Sequence, residues 1–256
     1  MGFAEDRETL RCLSNKQRNA WLERLSAACV NYISGELLAQ LRDAFKRILG
    51  NPGAGSWELE SDPEDAEAIR FVYPSSGLAT GIDYIAPEVR IELGARSEHQ
   101  PSSAKQIRPY AAIQFQSEFA EPACLVKALD AERTFWEKAT ILHACHHGDN
   151  PEKAHRASRH YYDVCMLSRS NVKSRALANL ELLADVADHK DLFYRAAWAR
   201  YDEAKAGSLR LVPKSTLEAA LSADYRDMRE MFFDEPPSFE DMMTELDSLE
   251  SEINGP

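Results

Sequence analysis

The chain has 256 residues, of which 44% are hydrophobic and 28% charged, and its formal net charge is −12 at pH 7. This composition is typical of a globular protein with one large or two small domains. The acidity excludes binding of nucleic acid through the overall electrostatic field, so any such contact needs a local basic patch.

The sequence contains no apolar run of about eighteen residues, and its first six residues lack the basic and then apolar order that is typical of a signal peptide. Its five cysteines are scattered and include no Cys-x-x-Cys. We therefore expect a cytoplasmic protein with reduced thiols and without a membrane partner.

A single long helix is predicted over residues 14–49. Ser14 can cap its start. The pair Pro52-Gly53 ends it, because proline and glycine both destabilise a helix that continues through them. Apolar residues recur between these points at helical spacing: Trp21, Leu25, Ala28, Tyr32, Leu37 and Leu41. An acidic loop follows. Three later stretches alternate β-branched or aromatic residues with polar ones and are predicted strands: 68–73, 88–93 and 111–115.

From Asp130 onward the pattern is helical. The predicted helices are 130–147, 151–168, 172–187, 191–205, 215–232 and 239–253, with Asn150 and Ser238 as start signals. The change of periodicity near Asp130 predicts a boundary between an α+β domain at 1–129 and a helical domain at 130–256. The predicted fold class is α+β: a small sheet with one long helix, followed by a mostly helical bundle.

The second predicted strand carries the first candidate site residue. Side chains alternate along a strand, so Val89, Ile91 and Leu93 share one face while Arg90 and Glu92 share the other. An apolar face beneath a carboxylate is how a sheet presents an acid to a metal ion. Glu92 is therefore a candidate metal ligand. The alternative is a half-exposed strand with an arginine–glutamate pattern and no ligand.

A lysine lies at the centre of the apolar face of the helix predicted at 130–147. Its apolar neighbours on that face include Ala131, Phe135, Ile141, Leu142 and Cys145. Burial of an unpaired ammonium is costly, so Lys138 should meet a carboxylate, a phosphate or open space. The alternative is a stem that extends along the apolar surface and carries the ammonium into water.

Asp163 is available as the partner of Lys138. It follows Arg159 by four residues, so these two can pair with each other on one helix face, which contributes little at an exposed position. If Asp163 faces Lys138 instead, a buried network results that positions a phosphate-binding lysine. The basic residues around it, including Arg156, are either an RNA-binding patch or solvated helix surface.

Gly55-Ser56 followed by Asp65 and Glu67 imitates a nucleotidyltransferase signature. That chemistry needs the Gly-Ser pair at a tight turn and both acids on the next strand. Here the stretch between them is an acidic loop interrupted by Pro63. We expect this match to be non-catalytic.

A group of histidines imitates a zinc site. Two histidines four residues apart can bind zinc, but no further ligand pair follows at a regular spacing. We expect no metal at this group, which comprises His143, Cys145, His146 and His147 with His155 and His160 beyond.

Several stretches together resemble the AbiEii/AbiGii toxin family. The first half contributes Val89-Arg90-Ile91-Glu92-Leu93-Gly94 with Arg96. The middle contributes Glu132-Arg133-Thr134-Phe135-Trp136-Glu137-Lys138 and Ser158-Arg159-His160-Tyr161-Tyr162-Asp163. The tail contributes Leu211-Val212-Pro213, Asp224-Tyr225 with Met228, Pro237-Ser238-Phe239 and Ile253-Asn254. The resemblance runs through nearly the whole chain, and the order and combination of these stretches carry it.

The resemblance implies a function. Members of that family are similar to DNA polymerase β-like nucleotidyltransferases, so the sheet would be part of that fold and Mg²⁺ the cofactor. They transfer a nucleotide from an NTP to RNA, in some members to the acceptor end of tRNA. An AbiEi-type antitoxin opposes them in type IV toxin–antitoxin pairs linked to phage defence and abortive infection.

The resemblance also implies roles for six residues. Lys138 would match the lysine that contacts the triphosphate, Asp163 the aspartate of the last motif, and Glu92, more loosely, a third catalytic carboxylate that holds metal. The expected substrate-binding cations are Arg159, Arg156 and Arg96.

One departure from the family bears on activity. Its members carry a Gly-Gly-Thr/Ser turn and an Asp-x-Asp strand before the region that matches 1–13, and nothing in this sequence corresponds to them. Without those acids no two-metal site is evident, so we expect little transfer by this chain alone. The alternative function is a non-catalytic interaction protein that binds an antitoxin or another chain, for which an unpaired sheet edge is suited.

Overall fold

The computed structural model describes residues 7–53, 55–74, 88–120, 123–148 and 156–255. The chain divides into two compact units, Met1–Ser97 with Glu230–Phe233 and Glu98–Arg229 with Asp234–Pro256. Helices together with two small antiparallel sheets make the fold α+β, as the sequence predicted. A domain boundary at residue 129 stays a prediction.

The helical part of the first unit confirms the long predicted helix. After the short helix α1 (Arg7–Cys12), helix α2 (Asn15–Tyr32) passes through a π-helical turn (Ile33–Leu37) into α3 (Leu38–Leu49). Ser14 caps α2 through a reciprocal pair of hydrogen bonds with Gln17. Gly50 ends α3 with a φ of 83°, a left-handed conformation that glycine adopts without steric cost.

A three-stranded antiparallel sheet packs on this helix. Its strands β1 (Glu58–Ser61), β2 (Ala68–Val72) and β3 (Glu88–Glu92) lie in the order β1-β2-β3. The core between sheet and helix contains Ile33, Leu38, Trp57, Leu59 and Ile69, with Phe45 stacked on Phe71. The predicted strands at 68–73 and 88–93 are thus confirmed.

Strand β1 lies in the stretch that the sequence presented as an acidic loop, and this part of the prediction is wrong. Leu59 is the only apolar residue of the strand, and it is buried between the exposed side chains of Glu58 and Glu60. One apolar residue gives no alternating pattern, so the strand depends on pairing with β2 rather than on its own sequence.

The second unit begins with a two-stranded antiparallel hairpin that the sequence did not predict. Strands β4 (Ser102–Ile107) and β5 (Cys124–Leu129) pair with each other, and helix α4 (Tyr110–Gln114) lies in the connection. The strand predicted at 111–115 is therefore wrong. Pro109 supplies the extended residue before the helix, and the turn of α4 buries only Ala112.

Helices form the remainder of the second unit. They are α5 (Ala131–His147), α6 (Ser158–Ser168), α7 (Val172–Leu177), α8 (Leu180–Phe193), α9 (Ser215–Asp227) and α10 (Phe239–Asn254). Phe135, Trp136, Tyr161, Val164 and Leu183 contribute to their common core. The prediction of a mostly helical half from Asp130 is confirmed, and Ser238 caps α10 as expected.

Three predicted helices have different bounds. The helix predicted at 191–205 is replaced by the end of α8 and two short 3-10 turns, because Arg200 adopts a left-handed φ of 48° that breaks a helix. The helix predicted at 172–187 is divided where Asn179 caps α8. Residues 149–155, where the third was predicted to begin, lie outside the described residues. Within the described ranges, none of the helices has the length and apolar character that a membrane crossing requires.

Candidate functional site

Lys138 of α5 and Asp163 of α6 form an ion pair, with 2.9 Å between Nζ and Oδ2. The same Nζ lies 3.1 Å from Nδ1 of His160. A lysine ammonium has only donors, so it donates to both groups and His160 accepts through Nδ1. His160 and Asp163 are three residues apart on α6 and therefore share the helix face that meets α5. We call these three residues the lysine site.

The expected pairing of Lys138 with Asp163 is confirmed, whereas the expectation of a buried network is wrong. The side chain of Lys138 is 26% exposed and that of Asp163 is 40% exposed. Because α6 turns Asp163 toward α5, the aspartate pairs with Lys138 rather than with Arg159. The ammonium is held in place but still reached by solvent, which a lysine that binds a solute needs.

Two groups, His160 within the lysine site and Lys190 beside it, respond to the charge of Lys138. Burial, followed by the positive charges of Lys138 and Arg159, lowers the pKa of His160 to about 4, so this imidazole is neutral at pH 7. Burial also lowers the pKa of Lys190 on α8, and the cations Lys138 and Arg133 lower it further, while Glu137 opposes them. Lys190 therefore adds a cation to this region, and sequence reasoning missed it.

Arg133 fixes the helix face that carries Lys138. Its side chain is 1% exposed, and its Nη1 donates to the carbonyl of Gln100 at 2.6 Å and to Asp185 at 2.9 Å. Its Nε donates to Glu137 at 3.0 Å. The guanidinium thus ties α5 to α8 and to the base of the β4–β5 hairpin. The buried charge is tolerated because Nε and Nη1 meet these acceptors, although the buried Nη2 meets none among the described residues.

Asp224 of α9 fixes the other half of the site. Its buried carboxylate accepts hydrogen bonds from the backbone N–H groups of Arg156 at 2.6 Å and Ser158 at 2.9 Å, and from the Ser158 hydroxyl. These donors stand at the start of α6, where helix N–H groups have no partner within the helix and a negative charge is favourable. Asp224 therefore sets the position of α6, and with it His160 and Asp163. The sequence signal was an acid beside Tyr225 on a helix with an apolar face.

On the outer face of the first sheet, Arg90 binds three carboxylates. It lies 2.9 Å from Asp62, 3.0 Å from Asp65 and 3.3 Å from Glu92. One of these carboxylates, Asp65, belongs to the stretch that imitates a nucleotidyltransferase signature. Glu92 is mostly exposed, and its carboxylate contacts the guanidinium of Arg90 instead of a metal ion.

The fit of a divalent metal to this face is therefore poor. Among the residues that the structure describes, no group of three histidine, cysteine, aspartate or glutamate side chains could hold a metal ion. A magnesium ion at Glu92 would require these carboxylates to leave Arg90. Glu92 as a metal ligand stays a prediction, and we derive no step through a metal.

The histidines of α5 are structural ties. The backbone N–H of Arg210 donates to Nδ1 of His143 at 3.0 Å, so Nε2 carries the proton and donates to the carbonyl of Arg200 at 3.0 Å. His146 lies 2.7 Å from the carbonyl of Val212 through Nδ1. Burial is the main cause that lowers the pKa of His143. These contacts connect α5 to the segment before α9. His155 lies outside the described residues.

The three arginines predicted to bind substrate occupy different places. Arg159 is exposed on α6 next to His160, and Arg156 precedes α6 with a left-handed φ of 58°. Arg96 donates to the hydroxyl of Ser26 at 3.3 Å in the first unit. A common site for these arginines, or for Glu92 with the lysine site, stays a prediction.

A pocket of about 460 Å³ in the first unit contains none of the predicted site residues. Its lining includes Arg42 and Lys46 but also Asp43, Glu58 and Glu60. The acids outnumber the cations there, so the pocket does not favour a polyphosphate. The lysine site has the better chemistry for an anion.

Comparison with known proteins places the chain beside one family. The model of the family described as "Nucleotidyl transferase AbiEii toxin, Type IV TA system" matches residues 13–245. No curated protein and no solved structure matches the chain. The matched stretch includes the lysine site together with Arg133 and Asp224.

Proposed function

The chain belongs to the AbiEii family of type IV toxin–antitoxin nucleotidyltransferases, and on this basis we propose that its lysine site binds the phosphates of an NTP for nucleotide transfer to RNA, with tRNA as the acceptor. The observation that carries this proposal is the ion pair of 2.9 Å between Lys138 and Asp163. It holds one ammonium at a partly exposed position between two helices.

The hydrogen bonds of Lys138 support a phosphate ligand. An ammonium has three N–H donors, and Asp163 and His160 accept from two of them. The third remains for an oxygen atom of a solute. A compact charged donor of this kind binds phosphate as a point charge.

The surrounding charges favour an anion of more than one phosphate. Burial is the main cause that lowers the pKa of Lys190, and the positive charge of Lys138 contributes to the same direction. The exposed guanidinium of Arg159 stands one residue before His160. A polyphosphate would offset the repulsion among these cations. In this proposal Asp163 and His160 are positioning residues, because they act through Lys138.

Transfer itself requires more than these residues. In the proposed reaction Mg²⁺ would polarise the transferred phosphate, and the described carboxylates near Glu92 are bound to Arg90 instead. We therefore propose that residues 1–256 alone bind an NTP without measurable nucleotide transfer. An AbiEi-type antitoxin is the proposed opposing partner, and phage defence the proposed biological role.

A second candidate function is a non-catalytic interaction protein. Strands β1 and β3 form the two outer edges of the first sheet, and neither pairs with a further strand in the part of the chain that the structure describes. An edge strand can accept a strand from a partner chain. This candidate predicts binding of a partner without any role for Lys138.

One experiment separates the two candidates. The full chain would be cross-linked by ultraviolet light to each of the four α-³²P-labelled NTPs, with Mg²⁺ and tRNA present. We expect labelled protein from the wild type and much less from Lys138→Ala, with no label on tRNA. Equal labelling of both proteins would overturn the triphosphate site. Strong Mg²⁺-dependent labelling of tRNA would overturn the proposed inactivity and direct attention to Gly55, Ser56, Asp65 and Glu67.

A further inference from the structure

The β4–β5 hairpin of the second unit has an unusual charge. Residues 102–117 and 123–129 contain Lys105, Arg108 and Lys127 without an aspartate or glutamate, while Glu118 and Glu121 lie between the two stretches and Asp130 follows the second. The whole chain, in contrast, has a net charge of −12. We call these two stretches the basic hairpin. Its local field attracts anions although the overall field repels them.

The basic hairpin also exposes large apolar side chains. Tyr110 is 72% exposed, Phe115 is 59% exposed and Leu125 is 74% exposed, with Ile107, Ile113 and Val126 partly covered beside them. The pairing of Lys105 with Val126 and of Ile107 with Cys124 places cations and apolar groups on the same ribbon. An exposed apolar group of this size with a basic rim is typical of a binding surface.

Two of the three cations are available to a ligand. Arg108 and Lys127 are exposed, and neither makes an ion pair or hydrogen bond with another residue in the described part of the chain. Lys105 lies 3.6 Å from Asp130, a long contact at a half-exposed position. Such a contact contributes little and is easily exchanged for another anion.

The hairpin is anchored close to the lysine site. At its base the N–H of Asp130 donates to the carbonyl of Pro101 at 3.0 Å, and Arg133 holds the carbonyl of Gln100 at 2.6 Å. Both anchors belong to the start of α5. Lys138 lies about 10 Å further along that helix, at about 1.5 Å per residue. The base of the hairpin is therefore near the group that we propose to hold the NTP, whereas Tyr110 and Phe115 follow the far end of β4, where Ile107 pairs with Cys124.

We propose that the basic hairpin binds single-stranded RNA, the acceptor of the proposed transfer; this inference rests on the proposed function. Exposed aromatic rings can stack on unpaired bases, and cations beside them bind the phosphates between those bases. A duplex hides its base faces and would offer the rings of Tyr110 and Phe115 no unpaired base for stacking. Within residues 102–129 the three cations outnumber the two glutamates, so this segment repels a phosphate backbone less than the acidic remainder of the chain does.

The aromatic contribution can be measured by fluorescence anisotropy with the full chain and a labelled twelve-nucleotide single-stranded RNA. We expect Tyr110→Ala and Phe115→Ala each to weaken binding at least about fivefold, which corresponds to the lower range of base stacking on a protein ring. The control is Phe233→Ala, which removes a more exposed ring outside the hairpin. The duplex of the same sequence should bind much more weakly than the single strand.

The charge contribution is measured by the salt dependence of the same binding. Arg108→Gln with Lys127→Gln should reduce the slope of log K against log salt by roughly 1.4, since each phosphate contact to a single strand contributes about 0.7. Lys205→Gln, an exposed lysine of the same unit, should leave the slope unchanged. Circular dichroism of each variant checks that the fold is retained.

The outcomes separate this inference from the proposed function. Loss of RNA binding in the hairpin variants, with NTP cross-linking intact, supports the inference. RNA binding that is equal in wild type and hairpin variants overturns it, even if Lys138 binds NTP. A change of sedimentation coefficient without a change of RNA binding would make the hairpin an interface between copies, and also overturn it. RNA binding through the hairpin without NTP binding would overturn only the proposed function.

Discussion

Asp224 on α9 accepts a hydrogen bond of 2.9 Å from the backbone N–H of Ser158, the first residue of α6. One carboxylate thus connects two helices that lie 66 positions apart in the chain. Since α6 carries His160 and Asp163, the geometry of the lysine site depends on a residue that does not belong to it. This arrangement gives the first prediction.

Replacement of Asp224 by alanine should lower the free energy of unfolding by about 2–4 kcal/mol, because several donors at the start of α6 lose a charged acceptor. Urea unfolding followed by circular dichroism measures the change. Asp227→Ala, on the exposed side of the same helix, should change it by less than about 0.5 kcal/mol. Similar values for both variants would show that Asp224 does not hold α6.

The second prediction is that the hydrogen bonds of Arg133 contribute to the free energy of unfolding. Arg133→Met keeps much of the side-chain volume but leaves Asp185, Glu137 and the carbonyl of Gln100 without their donor. We expect a loss of about 2–3 kcal/mol, less than for a wholly buried pair, because both carboxylates are partly exposed. Arg195→Met, which removes a surface pair with Asp191 at 3.8 Å, is the control and should cost less than about 0.5 kcal/mol. An equal loss in the two variants would contradict the role of Arg133.

The third prediction concerns pH. The folded protein lowers the pKa of His160 to about 4, whereas an unfolded histidine has a pKa of about 6.5. Above pH 6.5 neither state binds the proton, so His160 does not affect stability there. As the pH falls from 6.5 to 4, the unfolded state gains the proton first and folding becomes less favourable.

Nuclear magnetic resonance of the His160 ring tests this directly, since its chemical shift should change near pH 4. The charged neighbours that set the value are Lys138, Arg159, Asp163 and Lys190. His160→Asn keeps an acceptor toward Lys138 and should reduce the loss of stability between pH 6.5 and 4. His147, whose pKa burial also lowers to about 4, will retain its own share of that loss. A His160 shift that titrates near pH 6.5 would show that the imidazole is not buried beside a cation.

The sequence predicted those features that depend on local periodicity. The long helix at 14–49 and the helices after Asp130 follow from apolar residues at helical spacing. The pairing of Lys138 with Asp163 also followed, because a lysine on an apolar helix face requires a polar partner. Periodicity alone, however, could not exclude the competing pair of Asp163 with Arg159.

Features that depend on contacts between distant segments were not predictable. Strand β1 has one buried apolar residue, and its strand character comes from its pairing with β2. The capture of Asp62, Asp65 and Glu92 by Arg90 requires the register of three strands. The contribution of Asp224 to the start of α6 likewise exists only after α9 has packed on α6.

Isothermal titration calorimetry with a non-hydrolysable triphosphate measures whether Lys138 binds the phosphates of an NTP. Wild type should bind, Lys138→Ala should bind at least about tenfold more weakly, as expected for loss of one charged hydrogen bond, and Lys205→Gln should bind like wild type. The melting temperature of Lys138→Ala should change little, since the pair is half-exposed. Equal affinities of wild type and Lys138→Ala would contradict the account.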